Sequence, residues 1–458
     1  MILEKITSPG IAHFSYFIGS DGEAAVVDPR RDCDIYLDIA RSRDVRITGI
    51  FETHRNEDYC IGSLELAERC GAGIYHGEKT LFRYGHPVRN GDRFRIGGIE
   101  LEIIETPGHT RESISLVLRE RDSSGKALMV FTGDVLFAGD VGRTDLMGIS
   151  RADAAGLLYD SIKHRILPLG EQVIICPAHG SGSVCGSRIS DRGNTTIGYE
   201  KAANGQLRMD RKAFIAHISR EQYYQPPYFR TMETLNQEGA PIIHHVPDLT
   251  PFRPGEIEQM KKAQVVDIRS PTGFGGGHVP GSISIWRDGL GAFMGWFLDY
   301  DQPIVIIDDF NKSLDDVARE FVRLAYDNIS GYLAGGFPAW FKAGKPVSRT
   351  GTWSVHELND RITDPRIFLL DVRDIHNREK VGHIRGTHHI YIGELPGRMN
   401  EVPRDRHVVA YCDAGYKGSL AVSLLSRAGY SHVTNLLGGM TGWIQAGFPR
   451  DPVDQADE

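Results

Sequence analysis

The strongest constraint on the fold of this chain is a repeat inside its second half. The stretch "VVDIRSPTGFGGGHVPGSISI" (265–285) is echoed by "LLDVRDIHNREKVGHIRGTHHI" (369–390), and "GYLAGGFPAWFKAGKP" (331–346) by "TNLLGGMTGWIQAGFP" (434–449). The offsets agree, because Asp267 and Asp371 lie 104 residues apart and Trp340 and Trp443 lie 103 apart. A period of that length is too long for a solenoid and fits two tandem copies of one small domain. Each copy runs through an apolar strand pattern, a Gly-His-(Val/Ile)-x-Gly turn, a second apolar run and an amphipathic helical pattern. That alternation predicts a parallel α/β sheet in each copy. At roughly 150 residues per domain, the whole chain is expected to form about three domains.

The copies differ at one informative place. Counting back 104 residues from Cys412 reaches Asp308, so "IDDFNKS" stands where "YCDAGYKGS" stands in the second copy. Only the second copy can act through a cysteine. Cys412 leaves an apolar run and enters a glycine-containing loop that leads to a helix expected to begin near Ser419. Its sulfur should therefore meet backbone N–H groups and a helix N-terminus, a setting that stabilises an anionic sulfur. Lys417 adds a cation. The plain alternative is a buried structural cysteine at a strand end.

These residues resemble the rhodanese family of sulfurtransferases, through the "LLDVR" strand with Asp371 and Arg373, the "GHIRGTHHI" turn, the "CDAGYKGS" loop and the closing "LLGGMTGW". The resemblance covers 352–450 and, more weakly, 255–348. It implies that Cys412 carries a sulfane sulfur as a persulfide, with Lys417 in a position more often held by arginine. That substitution keeps the charge and loses the bidentate fork. By the same resemblance the first copy is a silent rhodanese-like domain.

Composition narrows the partners. With 52 Lys+Arg against 60 Asp+Glu the net charge is -8, and no basic cluster tracks a phosphate backbone, so nucleic acid is not an expected partner. The opening "MILEKITSPGIAHFSYFIGS" lacks the pattern of a signal peptide, and no apolar run approaches membrane-spanning length. A cytoplasmic protein is expected, free of the membrane and homo-oligomeric. Six cysteines without a CxxC pair read as thiols in a reducing compartment.

The first half carries a second chemistry. Through about residue 200, short apolar runs alternate with helical stretches, and His54, His109, Asp134 and His179 each follow such a run, in "ETH", "TPGHT", "TGD" and "PAHG". Side chains at strand ends can converge from distant places in sequence on one metal site. The order and contexts resemble the metallo-β-lactamase superfold, which implies a four-layer αββα sandwich. In the dinuclear hydrolases of that fold the first motif reads His-x-His-x-Asp-His, whereas this chain reads "THRNEDYC". His54 and Asp58 remain, but Asn56 and Tyr59 replace two imidazoles, so a two-metal mechanism is expected to be impaired.

What survives, His54, His109 and Asp134, makes two imidazoles and one carboxylate, the facial triad of non-haem Fe(II) oxygenases. Persulfide dioxygenases, a branch of the same superfold, resemble the chain here and in "GDVGRTD" (139–145). That resemblance implies one Fe(II) per chain held by these three residues, with a low-molecular-weight thiol persulfide and O₂ as substrates. Asp58 and His179 then belong to the surroundings of the metal, or with Asp134 to a second metal. Tyr59, Arg143 and Cys185 are candidates for contact with substrate. For Arg143 a structural ion pair with Asp145 is the alternative, and for Cys185 a bystander thiol. Arg55 either meets an anionic substrate or points to solvent.

The expected domains are 1–250, closed by helices in 201–250 that line the cleft; 251–348, without the cysteine; and 349–458, with it. Proline-rich "HHVPDLTPFRPGE" (244–256) and glycine-rich "GKPVSRTGTWS" (344–354) mark the junctions. The combined expectation is a sulfide-detoxifying enzyme. It oxidises a persulfide to sulfite at iron and moves sulfane sulfur among persulfide, sulfite and thiosulfate through Cys412. Two rivals are a zinc-dependent thioester hydrolase like glyoxalase II, and a sulfurtransferase whose first domain is only a binding scaffold.

Overall fold

A computed structural model describes residues 1–120, 125–186 and 188–452, so the last six residues of the expected third domain lie outside the described residues. The chain divides into two compact units, one of residues 1–246 with 322–325, the other of 247–321 and 326 onward.

The first unit is built on two six-stranded sheets. One runs in the order Ile2–Ser8, His13–Ser20, Glu23–Val27, Arg46–Glu52, Gly73–Gly77, His86–Val88, and the other in the order Thr195–Thr196, Ile174–Pro177, Ala127–Gly133, Ile114–Glu120, Ile99–Glu105, Arg93–Ile96. Alternation along the strands sorts their side chains to two faces. Tyr16, Ile18, Ala25, Val27 and Phe51 of the first sheet meet Leu101, Ile103, Leu116 and Phe131 of the second in one buried cluster. The opposite face of the first sheet, with Phe17, Val26 and Ile50, packs against the helices Asp34–Ser42 and Ser63–Cys70. Val117, Val130 and Ile175 of the second sheet pack against Arg151–Ser161 and Arg211–Arg220. The result is the four-layer αββα sandwich that the resemblance implies. Each completely buried aromatic such as Phe131 contributes about 2–3 kcal/mol by leaving water.

The second unit holds two five-stranded sheets of identical order. The first copy runs Thr250–Phe252, Ile329–Leu333, Ile304–Ile307, Gln264–Asp267, Ile283–Ser284, and the second Gly351–Trp353, Val433–Leu436, His407–Tyr411, Ile367–Asp371, His388–His389. Every pairing in both is parallel. The repeat extends to side chains. Arg269 clamps Asp267 and donates to the Gly277 carbonyl at 2.7 Å, while Arg373 clamps Asp371 and donates to the Gly382 carbonyl at 2.9 Å. Trp340 and Trp443 donate from their indole nitrogens to Pro346 and Pro449. The copies also meet: Ser284 and Ser419 share a buried hydroxyl hydrogen bond of 2.9 Å, and Trp286 lies 5.1 Å from the ring of Tyr416. Among the described residues, no helix is long and apolar enough to cross a membrane.

Candidate metal centre and cysteine loop

Four loops that follow strands supply the first site. Arg46–Glu52 leads to His54, Ile99–Glu105 to His109, Ala127–Gly133 to Asp134 and Ile174–Pro177 to His179. All four side chains are buried, and they come together: the Asp134 carboxylate lies 3.8 Å from His54 Nε2, 3.6 Å from His109 Nε2 and 2.7 Å from His179 Nδ1. Gly133, just before Asp134, adopts a left-handed φ of 52°, and a Cβ there would stand 2.5 Å from the Thr53 hydroxyl.

Hydrogen bonding fixes which ring nitrogens are free. His109 Nδ1 donates to the Arg143 carbonyl at 3.0 Å, and His179 Nδ1 donates to the Asp134 carboxylate. Thr53 Oγ1 donates to Asp28 at 2.8 Å, so it accepts from His54 Nδ1 at 2.9 Å. With Nδ1 engaged in this way, each imidazole turns its Nε2 to the cleft, the atom a metal takes once it displaces any proton held there. The Nε2 atoms of His54, His109 and His179 are all buried without a hydrogen bond, as are Glu57 Oε2 and Asp58 Oδ1. Orphaned donor atoms of this kind are costly unless a cation satisfies them, so the residues fit a divalent metal.

The charges reinforce the grouping. Burial opposes ionisation of Asp134, but His179, His54 and His109 outweigh it and hold its carboxyl well below the usual carboxylate range. Burial likewise opposes the charge of His109, yet Glu57 and Asp134 raise its pKa to about 9.

Asn56 and Tyr59 are buried close to this centre. Asn56 donates to the His54 carbonyl, while the Tyr59 ring packs 4.0 Å from His13 and its hydroxyl has no partner. Asp58 lies 3.0 Å from His179 Nε2. Arg143 is locked: it grips Asp145 with two bonds of 2.7 Å, donates to the Val184 and Tyr224 carbonyls and lies under the Tyr223 ring. Arg55 takes neither expected course, because its guanidinium binds Glu233 and Gln237 on the helix Phe229–Glu238. Asn236 of the same helix donates to the carbonyls of Asn56 and Tyr59, fastening the metal loop from behind.

Glu57 is the residue that sequence reasoning missed. Its carboxylate lies 3.3 Å from His109 Nε2 and 3.4 Å from Cys185 Sγ. Its ligand atom and those of His109, Asp134 and Cys185 all lie within 4.8 Å of one another. The signal was an acidic residue inside "HRNEDYC", which reads as a solvated spacer until burial is known.

In the second unit, Cys412 follows the strand His407–Tyr411, and the Gly415 N–H donates to its sulfur at 3.2 Å. The helix begins at Tyr416, three residues earlier than the sequence suggests, because Gly415 at φ 100° turns the chain directly into it. Lys417 lies 2.9 Å from Asp413 and 3.5 Å from Asp374. Burial works against its charge, but Asp413, Cys412 and Asp374 raise its pKa above the ordinary lysine value. The N–H groups of Met440 and Thr441 bind the carbonyls of Cys412 and Asp413, so the closing motif holds the loop in shape. In the first copy, Asn311 occupies the place of Gly415, donates to Asp308 at 2.6 Å and accepts from the Gly335 N–H.

The chain matches the metallo-beta-lactamase superfamily over residues 9–179 and the rhodanese-like domain twice, over 254–343 and 354–446. A crystal structure of a metallo-beta-lactamase from Staphylococcus aureus subsp. aureus COL is 31% identical, covers 73% of this chain and 99% of its own, and superposes with a TM-score of 0.66. The hydroxyacylglutathione hydrolase GloC of Haemophilus influenzae is 29% identical over 40% of this chain and 85% of its own length. A crystal structure of ETHE1 from Myxococcus xanthus is 27% identical, covers 52% of this chain and 98% of its own, and has a TM-score of 0.46. The chain belongs to the metallo-beta-lactamase superfamily, and it continues beyond that domain into two rhodanese-like domains.

Proposed function

We propose that this protein oxidises a low-molecular-weight thiol persulfide with O₂ to sulfite and transfers sulfane sulfur through Cys412, as an enzyme of sulfide detoxification. The observation that carries the reading is the pairing of two free imidazole nitrogens, on His54 and His109, with the single carboxylate of Asp134, while Asn56 and Tyr59 stand where the dinuclear hydrolases keep histidines. Bound Fe(II) at such a triad supplies open coordination positions and one-electron chemistry toward O₂. The chain's own contribution is positional. Thr53, the Arg143 carbonyl and Asp28 hold the rings in one tautomer, and the buried walls keep bulk water from the centre. The stoichiometry is one persulfide, one O₂ and one water giving one thiol, one sulfite and two protons.

In the transfer step, the Cys412 thiolate attacks the outer sulfur of a persulfide or thiosulfate. The S–S bond breaks, the thiolate or sulfite departs, and the sulfane sulfur remains on Cys412. The Gly415 N–H and Lys417 stand beside this anionic sulfur.

An oxygen-electrode experiment on anaerobically Fe(II)-loaded protein tests the reading, with glutathione persulfide and coenzyme A persulfide as substrates. Oxygen uptake with sulfite or thiosulfate as product is expected, and no uptake despite stoichiometric iron overturns the oxygenase assignment. A second reading, a zinc-dependent thioester hydrolase, draws support from the Asp58–His179 pair and from the similarity to the Haemophilus hydrolase. It predicts thioesterase activity with zinc and no oxygen uptake.

A further inference from the structure

Glu57 has no part in the oxidation just described, yet its side chain is only 1% exposed and reaches into the cleft of His54, His109 and Asp134. We propose that Glu57 is a fourth protein ligand of the first metal, so that this chain holds the ion with two imidazoles and two carboxylates rather than with the three residues that the resemblance implies. Glu57 Oε1 lies 3.3 Å from His109 Nε2, and one ligand atom each from Glu57, His109 and Asp134 all lie within 4.8 Å of one another. Donors side by side around one divalent ion stand about 3 Å apart when each bond is about 2.1 Å long. A small inward movement seats Glu57 beside His109 on the ion.

The metal loop is pinned on both sides of this residue. Arg55 is drawn outward to Glu233 and Gln237, Asn56 donates to the His54 carbonyl, and Asn236 binds the carbonyls of Asn56 and Tyr59. Glu57 is left facing inward, where the Cys185 thiol donates to its Oε1 at 3.4 Å. Its other oxygen, Oε2, is buried without a hydrogen-bond partner, and so is His109 Nε2. The plain alternative is an ion pair between Glu57 and a protonated His109. Such a pair occupies Oε1 and leaves Oε2 orphaned inside the protein, whereas a cation held by the carboxylate and the imidazole satisfies both groups.

The donor count bears on substrates. An octahedral ion has six positions, and four protein ligands leave two of them open. On the oxygenase reading, from which this consequence follows, one open position serves the persulfide through a single donor atom and the other serves O₂. The two carboxylates also balance the charge of a divalent ion.

The test uses the full chain freed of metal and reloaded with one equivalent of Mn(II). Broadening of the electron paramagnetic resonance lines in ¹⁷O-enriched water counts the waters on the ion. Two are expected, and three, the number that the triad alone leaves, overturns the proposal. In Glu57→Ala the count should rise to three. Competition with a chromophoric chelator should show Mn(II) affinity lowered by about 100-fold or more, beyond what losing a partner behind a ligand costs. An unchanged count in the variant overturns the proposal, because an ion pair with His109 could weaken binding but would add no water when lost. The count on the unsubstituted protein stands even where the variant misfolds. It is also independent of oxygen uptake: a three-water centre removes Glu57 from the ligands and leaves the oxygenase reading in place, whereas a two-water centre that consumes no oxygen with iron bound does the opposite.

Discussion

Asp134 shows how much depends on a single carboxylate. One oxygen faces His54 and His109, and the group also fixes the tautomer of His179. Behind the ligands stands a relay that fixes His54, in which Asp28 accepts from both the backbone and the hydroxyl of Thr53. Thr53→Val removes the acceptor for His54 Nδ1 without changing side-chain volume much. Metal affinity is expected to fall by about 10–100-fold, the usual effect of losing a partner behind a ligand, as measured by competition with a chromophoric chelator. A second prediction concerns the buried pair Asp371–Arg373, both completely buried and joined by bonds of 2.6 and 2.9 Å. Asp371→Asn leaves the guanidinium without its counter-charge and should cost about 3–5 kcal/mol, read as a lower urea midpoint for the second unit.

At the level of elements, the cysteine loop is shaped by a neighbouring turn. Gly439 adopts a φ of 50°, and a Cβ there would come within 2.2 Å of the Cys412 carbonyl oxygen. Gly439→Ala is therefore expected to push the loop out of register and reduce sulfur transfer by about 10²-fold, as small misplacements of reacting groups do. Persulfide formation on Cys412, followed by mass spectrometry, checks this. The duplicated parallel α/β domain was legible in the sequence because it is written twice at one offset, whereas the Asp–Arg clamps inside each copy emerge only from the fold. The strand-end placement of the histidines was legible because apolar runs precede each of them. What escaped was set by tertiary burial: Glu57 sits in a polar string, and the route of Arg55 to Glu233 joins residues 178 positions apart. No local pattern carries either fact, and the early start of the helix at Tyr416 depends on one left-handed glycine.

For the whole molecule, the two chemistries draw on separate residues, so they should fail separately. His109→Ala is expected to abolish oxygen uptake and spare sulfur transfer, whereas Cys412→Ser should do the reverse. Parallel oxygen-electrode and thiocyanate-forming assays distinguish this from a coupled centre, in which either variant would lose both. The two rhodanese-like copies raise a different matter. In the first, the side chain of Asn311 ties Asp308 to the next turn, where the second copy has only the bare backbone of Gly415 beneath its sulfur. At the place of Lys417 stands Ser313, which carries no positive charge. A cysteine placed at position 308 would supply a thiol but neither the cradle nor the cation that Cys412 has. Asn311 and Ser313 thus make the two loops non-interchangeable: giving the first copy the surroundings of Cys412 takes changes at 308, 311 and 313 together.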